Sequence, residues 1–213
     1  MVFEFANCVT ILPMSFDYHN LIGILSGIVS FSFYLFYFRS ILRRETKPSR
    51  TSWWIWAFIG IMIMLSYYFS GARETIWVPI GESIGPLLIA FISIKYGEGG
   101  WSKIDRICLM GAVIGAILWF MSGSPLVGLL SFLVIDFWGV IPTLIKSYFK
   151  PHGESNLAWS LSFLGSFLNL FAIQQWSLPI IIYPIYTTLI NFIIILTIRG
   201  FFSKHKNTKK FEN

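Results

Sequence analysis

Residues 136–160 read DFWGVIPTLIKSYFKPHGESNLAWS. An apolar segment carrying one acid, Asp136, ends in a basic exit of Lys146, Ser147 and Lys150. A turn with Pro151 and Gly153 follows, and Ser155 to Trp159 opens the next apolar run as Ser-x-x-x-Trp. The same order occurs earlier: Arg39, Ser40 and Arg43 leave one apolar run, Pro48 lies in the turn, and Ser52 to Trp56 opens the next, with four more residues in the connection. Two such turns predict a duplicated helical unit.

Seven apolar runs extend outward from these turns: Asn20–Phe38, Ser52–Phe69, Ile76–Ile94, Ile107–Met121, Leu126–Leu144, Leu157–Ile173 and Leu178–Ile198. Most approach the roughly 20 residues that cross a ~30 Å hydrocarbon core. The fourth is the shortest, at 15 residues as drawn. A 213-residue chain that is 55% apolar, 18% aromatic and 12% charged is expected to be solvated mainly by lipid.

If each run crosses the membrane, 15 of the 16 Lys and Arg collect on one side, and Arg73 alone falls on the other. The segment before the first run has Glu4 and Asp17 but no Lys or Arg. Basic residues next to helix ends resist translocation, so the N-terminus is expected outside and the C-terminus in the cytoplasm. The net charge of +6 is then spread over four cytoplasmic segments and describes topology, not a nucleic-acid surface. The tail Ser203–Asn213 is expected to be a solvated end near anionic headgroups. Met1–Phe16 lacks a basic n-region and a long apolar core, so no cleavable signal is expected there.

A duplicated three-helix unit has an odd number of crossings, so a single linker helix is needed for both copies to run the same way. The fold expected is an all-α membrane protein with seven transmembrane helices in one domain over residues 1–213. Two parallel three-helix repeats (20–94 and 126–198) are joined by a linker helix (107–121) and followed by a basic tail (199–213), an arrangement known among transporters. Prolines recur in the third run (Pro79, Pro86) and the seventh (Pro179, Pro184). On residues 136–160, with Pro142-Thr143 where Pro-Gln usually stands, the chain resembles the PQ-loop and SWEET-like superfamily. The first copy departs from that signature, since Tyr34-Leu35-Phe36-Tyr37 has no proline. The segments KPSRTSWWIWAF, SIKYGEGGW and DFWGVIPTLIKSYF also resemble a group of uncharacterised bacterial membrane proteins, a resemblance that implies a bacterial cytoplasmic (inner) membrane. The resemblance implies a small-molecule transporter and also allows a receptor or sorting protein.

Only Glu82 and Asp136 are charged well inside the runs. An acid at mid-membrane costs about 2.5–3.5 kcal/mol on insertion scales, so it should face a bundle interior or a water-filled cavity. Asp136, Gly139 and Thr143 share a helix face, as do Glu82, Gly85 and Pro86. Trp159, Ser162, Ser166 and Asn169 form a stripe on the sixth run, with Ser66 the repeat counterpart of Asn169, and Thr187, Thr188 and Asn191 add polar positions on the seventh. Converging, these faces make a mid-membrane pocket. Trp56, Ser66, Trp159, Asn169 and Asn191 would bind substrate, Glu82 and Asp136 would couple a proton or cation, and Pro86, Pro142 and Pro184 would act as hinges. Each feature has a plainer alternative: small polar residues pack helices, the acids are hydrogen-bonded to a nearby Ser or Tyr, and the prolines are static kinks. Trp53 and Trp54 read as an interfacial belt, and Trp56 is divided between belt and pocket. Gly60, Gly115, Gly128 and Gly165 permit close helix approach within the chain or between subunits.

The function expected is carriage of a small polar solute by alternating access, with a PQ-loop-type receptor or a cation channel as alternatives. No nucleophile, base and metal set converges, so no enzyme is expected. His19, His152 and His205 lie outside the runs, and no metal or other cofactor is expected. The seventh run has no lysine for a retinal Schiff base. Cys8 and Cys108 fall on opposite sides, against a disulfide. The glycine-rich turn 96–101 lacks the Lys-Ser/Thr ending of a phosphate loop. The partners expected are the solute and the lipid bilayer, with homo-oligomerisation left open and nucleic acid excluded.

Overall fold

A computed structural model describes residues 17–45, 48, 50–97, 103–149 and 155–201; within the helices, the side chains of Ile104, Pro142, Ile145, Lys146 and Phe149 lie outside the described set. Cys8, His152, His205, most of the glycine-rich turn, the 150–154 turn and the tail are likewise outside it. The described residues form seven α-helices and no strand: α1 (Tyr18–Leu42), α2 (Arg50–Phe69), α3 (Trp77–Tyr96), α4 (Lys103–Ser122), α5 (Pro125–Phe149), α6 (Asn156–Phe171) and α7 (Leu178–Ile198). A 3-10 turn, Glu74–Ile76, precedes α3. Five of the helices are long and apolar enough to cross a membrane. Ile28, Phe91, Met110, Ile114 and Phe120 point outward and are exposed. That much apolar surface is a liability in water and ordinary in lipid, so the chain is a membrane protein.

Local chemistry fixes the helix ends. The Asp17 carboxylate accepts from the backbone N–H groups of His19 at 3.1 Å and Asn20 at 3.2 Å, starting α1, and Ser155 Oγ accepts from the Ala158 N–H at 3.3 Å, starting α6; both satisfy donors that a first turn leaves unpaired. Arg50, at the start of α2, donates to the carbonyls of Ser93 and Gly97 at 3.0 Å each and so caps α3. Helix α4 is 20 residues long, not 15. Hydropathy stops at Arg106, but the helix continues back through Asp105, which accepts from Ser52 Oγ at 2.7 Å. The shortest helix is instead α6, at 16 residues, about 24 Å at ~1.5 Å per residue.

Helix α3 packs against both α1 and α2, and α7 against both α5 and α6; contacts between α1 and α6 and between α2 and α5 close the ring. Helix α4 lies outside it, against α5 and, less extensively, α2. Small residues permit the closest approaches. A Cβ on Gly60 would stand 2.6 Å from the Glu82 carbonyl oxygen of α3, and one on Gly165 would meet Ser30 and the backbone of α1. Gly115 faces Ile135 and Ser131, and Gly128 faces Trp119. All four glycines therefore meet neighbours within this chain. Gly23, Ser26, Gly27 and Ser30 form a further buried small-residue stripe on α1, serving α3 and α6 together.

Candidate functional site

A cavity of about 620 Å³ runs between the helices. Arg39, Arg43, Glu45 and Ser155 line its mouth, at the end where α1 finishes and α6 begins; Glu82, Asp136, Gly60, Ile63, Pro79 and Tyr183 line its depth. Both acids therefore face one space. Tyr34, on α1, donates its hydroxyl proton to Glu82 Oε2; Tyr186, on α7, donates to Asp136 Oδ2 at 2.8 Å.

Glycine three residues after each acid makes room for an aromatic ring. Gly85 lies against the ring of Tyr34, letting the hydroxyl reach Glu82 one turn earlier on α3; Gly139 lies beside the indole nitrogen of Trp56, 2.6 Å from where a Cβ would stand. Tyr34 is itself held by Phe33, edge-on at 5.0 Å, and Trp53, edge-on at 6.4 Å. Arg43 and Glu45 form an exposed ion pair at 3.9 Å at the mouth.

The far end is shut. The Tyr67 hydroxyl donates to the Ile180 carbonyl at 2.7 Å. That uses its only proton, so the Thr75 hydroxyl, 2.7 Å away, is the donor to Tyr67. Asn169 Nδ2 donates to the Thr75 carbonyl at 3.2 Å, and Ser26 Oγ lies 3.3 Å from Asn169 Oδ1. Three helices and the 3-10 turn are thus hydrogen-bonded together beneath Tyr183, whose ring lies 5.1 Å from that of Tyr67, with α1 packed alongside through Ser26, whose own proton goes to the Gly23 carbonyl at 2.6 Å. Nearer the surface, the Trp77 indole donates to Asn20 Oδ1 at 3.1 Å.

Of the residues expected to bind substrate, Trp56, Trp159 and Asn191 line the cavity. Ser66 and Asn169 do not. Both are fully buried: Ser66 Oγ donates to the Met62 carbonyl at 2.6 Å, and Asn169 belongs to the closed end. Trp159 and Ser162 of the stripe on α6 face the cavity, but the stripe continues past the depth at which the cavity stops. Asn191 spends one amide proton on Ser166 Oγ at 3.2 Å. Pro86 and Pro184 are buried inside α3 and α7; Pro142 falls within α5, with its side chain outside the described set. The belt reading fails for Trp53, which is buried against Tyr34, Tyr37 and Trp56, while Trp54 faces outward against Phe91. Consecutive helical residues are ~100° apart, so Trp53 turns inward where Trp54 turns out.

Tyr34, Tyr183, Tyr186 and Tyr67 are side chains at the cavity and its floor that sequence reasoning did not assign there. An acid in a run without Lys, Arg or His needs a neutral donor, and that requirement is the signal that could have found the first and third of them. Among the described residues no group of three or more His, Cys, Asp or Glu could hold a metal. Comparison with family models, characterised proteins and solved structures returns no match, so function must be argued from these side chains.

Proposed function

We propose that this protein carries a small polar solute across a membrane by alternating access, and that the structure holds the conformation open toward the cytoplasm. The observation that carries this reading is a cavity with a solvent-side mouth and a hydrogen-bonded floor, with both intramembrane acids on its wall. A carrier needs a site reachable from one side at a time. A channel would need a continuous path, which the Tyr67–Thr75–Asn169 floor interrupts.

In this reading all seven helices cross the bacterial inner membrane, with the N-terminus outside. The basic mouth is cytoplasmic, in keeping with the distribution of Lys and Arg. The helices form two parallel repeats, α1–α3 and α5–α7, with α4 as linker. The packing supports it: the third helix of each group sits between the first two, and the groups meet through α1 with α6 and α2 with α5. Trp56 and Trp159, equivalent in the two turns, both line the cavity. The PQ-loop and SWEET-like resemblance agrees with this plan. Pro86 and Pro184, inside α3 and α7, would let the halves rock, closing the mouth as the floor opens, and a proton or cation on Glu82 or Asp136 would couple to the solute.

The test is a thermal-shift screen of purified protein against small solutes, repeated with Asp136→Asn and Glu82→Gln. A ligand of the folded state raises the melting temperature with concentration. A hit that is lost in a folded acid variant and taken up by proteoliposomes with saturation supports the carrier. Bound solute without flux would favour a receptor, and unsaturating flux a channel.

A further inference from the structure

Resting on the carrier reading, the charge of the solute can be argued from what the cavity has at each depth. None of the seven apolar runs contains Lys, Arg or His. Among the described residues the arginines lining the cavity are Arg39, on α1, and Arg43, just past its end, five and nine residues beyond Tyr34, about 7.5 Å and 13.5 Å along the axis at ~1.5 Å per residue. Glu82 and Asp136 therefore face the chamber with tyrosine hydroxyls as their hydrogen-bond donors and, among the described residues, no ion pair to a basic side chain. A carboxylate accepts several hydrogen bonds, and one neutral donor does not offset a charge taken out of water.

The walls add a second preference. Trp56, Trp159, Tyr183 and Tyr186 line the same chamber, and aromatic faces carry negative potential that attracts cations, quaternary ammonium groups above all. An amino acid or other carboxylate would set its negative end against two acids. The volume of about 620 Å³ lies within the range of sites for organic ligands, far beyond the need of a proton or bare metal ion.

We propose that the solute is a monovalent organic cation lacking a carboxylate, an alkylammonium or quaternary ammonium compound, with its charged centre between Glu82 and Asp136 and its carbon groups against Trp56, Trp159 and Tyr183. With one positive charge on the solute, electroneutrality leaves one proton on the acid pair.

The experiment compares cations with neutral carbon isosteres on the full-length protein in nanodiscs. Choline is set against 3,3-dimethylbutan-1-ol, and benzyltrimethylammonium against neopentylbenzene. Thermal shift reads binding, and counterflow of labelled choline in proteoliposomes reads transport. At least one cation should raise the melting temperature saturably, with its isostere at least tenfold weaker. Asp136→Asn should weaken the cation at least tenfold and leave the isostere unchanged. Should that variant fail to fold, the comparison on the native protein still decides. Equal effects of cation and isostere, or no effect of either cation, would overturn the proposed charge class. Binding of a cation without counterflow would instead overturn the carrier reading and leave the class standing.

Discussion

Tyr186 on α7 donates its hydroxyl proton to Asp136 on α5 across 2.8 Å, fastening the third helix of one group to its first. The other group has the same fastening reversed, with the tyrosine on α1 and the acid, Glu82, on α3. Each half thus contributes one acid to the cavity and steadies it with its own tyrosine. A hydrogen bond to a carboxyl group is worth about 1–3 kcal/mol. Tyr186→Phe is therefore expected to lower stability by about that amount, read as a lower melting temperature in detergent. Asp136→Asn, which still accepts from Tyr186, should lose less. An unchanged melting temperature in Tyr186→Phe would mean that the bond does not hold α5 to α7.

Gly85 should be intolerant of any side chain. A Cβ there would overlap the Tyr34 ring, and overpacking a tight contact costs about 1–3 kcal/mol. Gly85→Ala should therefore destabilise the protein and displace Tyr34 from Glu82. Gly71, where a Cβ meets nothing within 4 Å, is the control for crowding. Its backbone φ of +102° makes alanine strained there for a different reason. An equal cost of Gly85→Ala in the native and in the Tyr34→Ala background would show that the ring is not what the methyl group meets.

The floor of the cavity should control which end is open. Asn169→Ala removes the donor to the Thr75 carbonyl, and leaving such a buried group unpaired costs about 1–3 kcal/mol. That loss falls on the conformation seen here. Solvent accessibility of a cysteine introduced at Thr75 should accordingly rise in Asn169→Ala, measured with a small maleimide. No change in labelling would separate Asn169 from the gate.

Orientation can be checked directly. With Cys8 and Cys108 replaced by serine, a cysteine at Glu45 should react with a membrane-impermeant maleimide only after the cell is opened, and a cysteine at Gln175 in intact cells. Both positions are exposed. The reverse pattern would invert the topology, and with it the side to which the cavity opens.

Much of the fold was legible because the apolar runs are separated by charge. All seven correspond to helices, and α7 matches its run from Leu178 to Ile198 residue for residue. The start of α4 was not legible: hydropathy measures the part of a helix that lipid would tolerate, whereas Lys103 and Asp105 sit in helical turns beyond it. The acids were legible because a carboxyl in an apolar run is conspicuous. That each needed a neutral donor was legible too, but not which one: Tyr34 is 48 residues from Glu82 and Tyr186 is 50 from Asp136, and a phenol among many aromatics gives no sign of its partner. Asn169 shows the other limit. Helical periodicity gives the face a residue shares, but how deep the cavity reaches depends on Tyr67, Thr75 and Ile180, which meet only in the folded bundle.

The most direct measurement is double electron–electron resonance on two spin-label pairs in the cysteine-free background. One spans the mouth, at Arg43 and Ser155, and the other spans the closed end, at Ser70 and Gln175. The account predicts two distance populations at each end, varying inversely: when the mouth pair shortens, the closed-end pair lengthens, with Asn169→Ala shifting both. A mouth distance that stays fixed while the other end opens, or a single unchanging distance at both ends, would contradict alternating access.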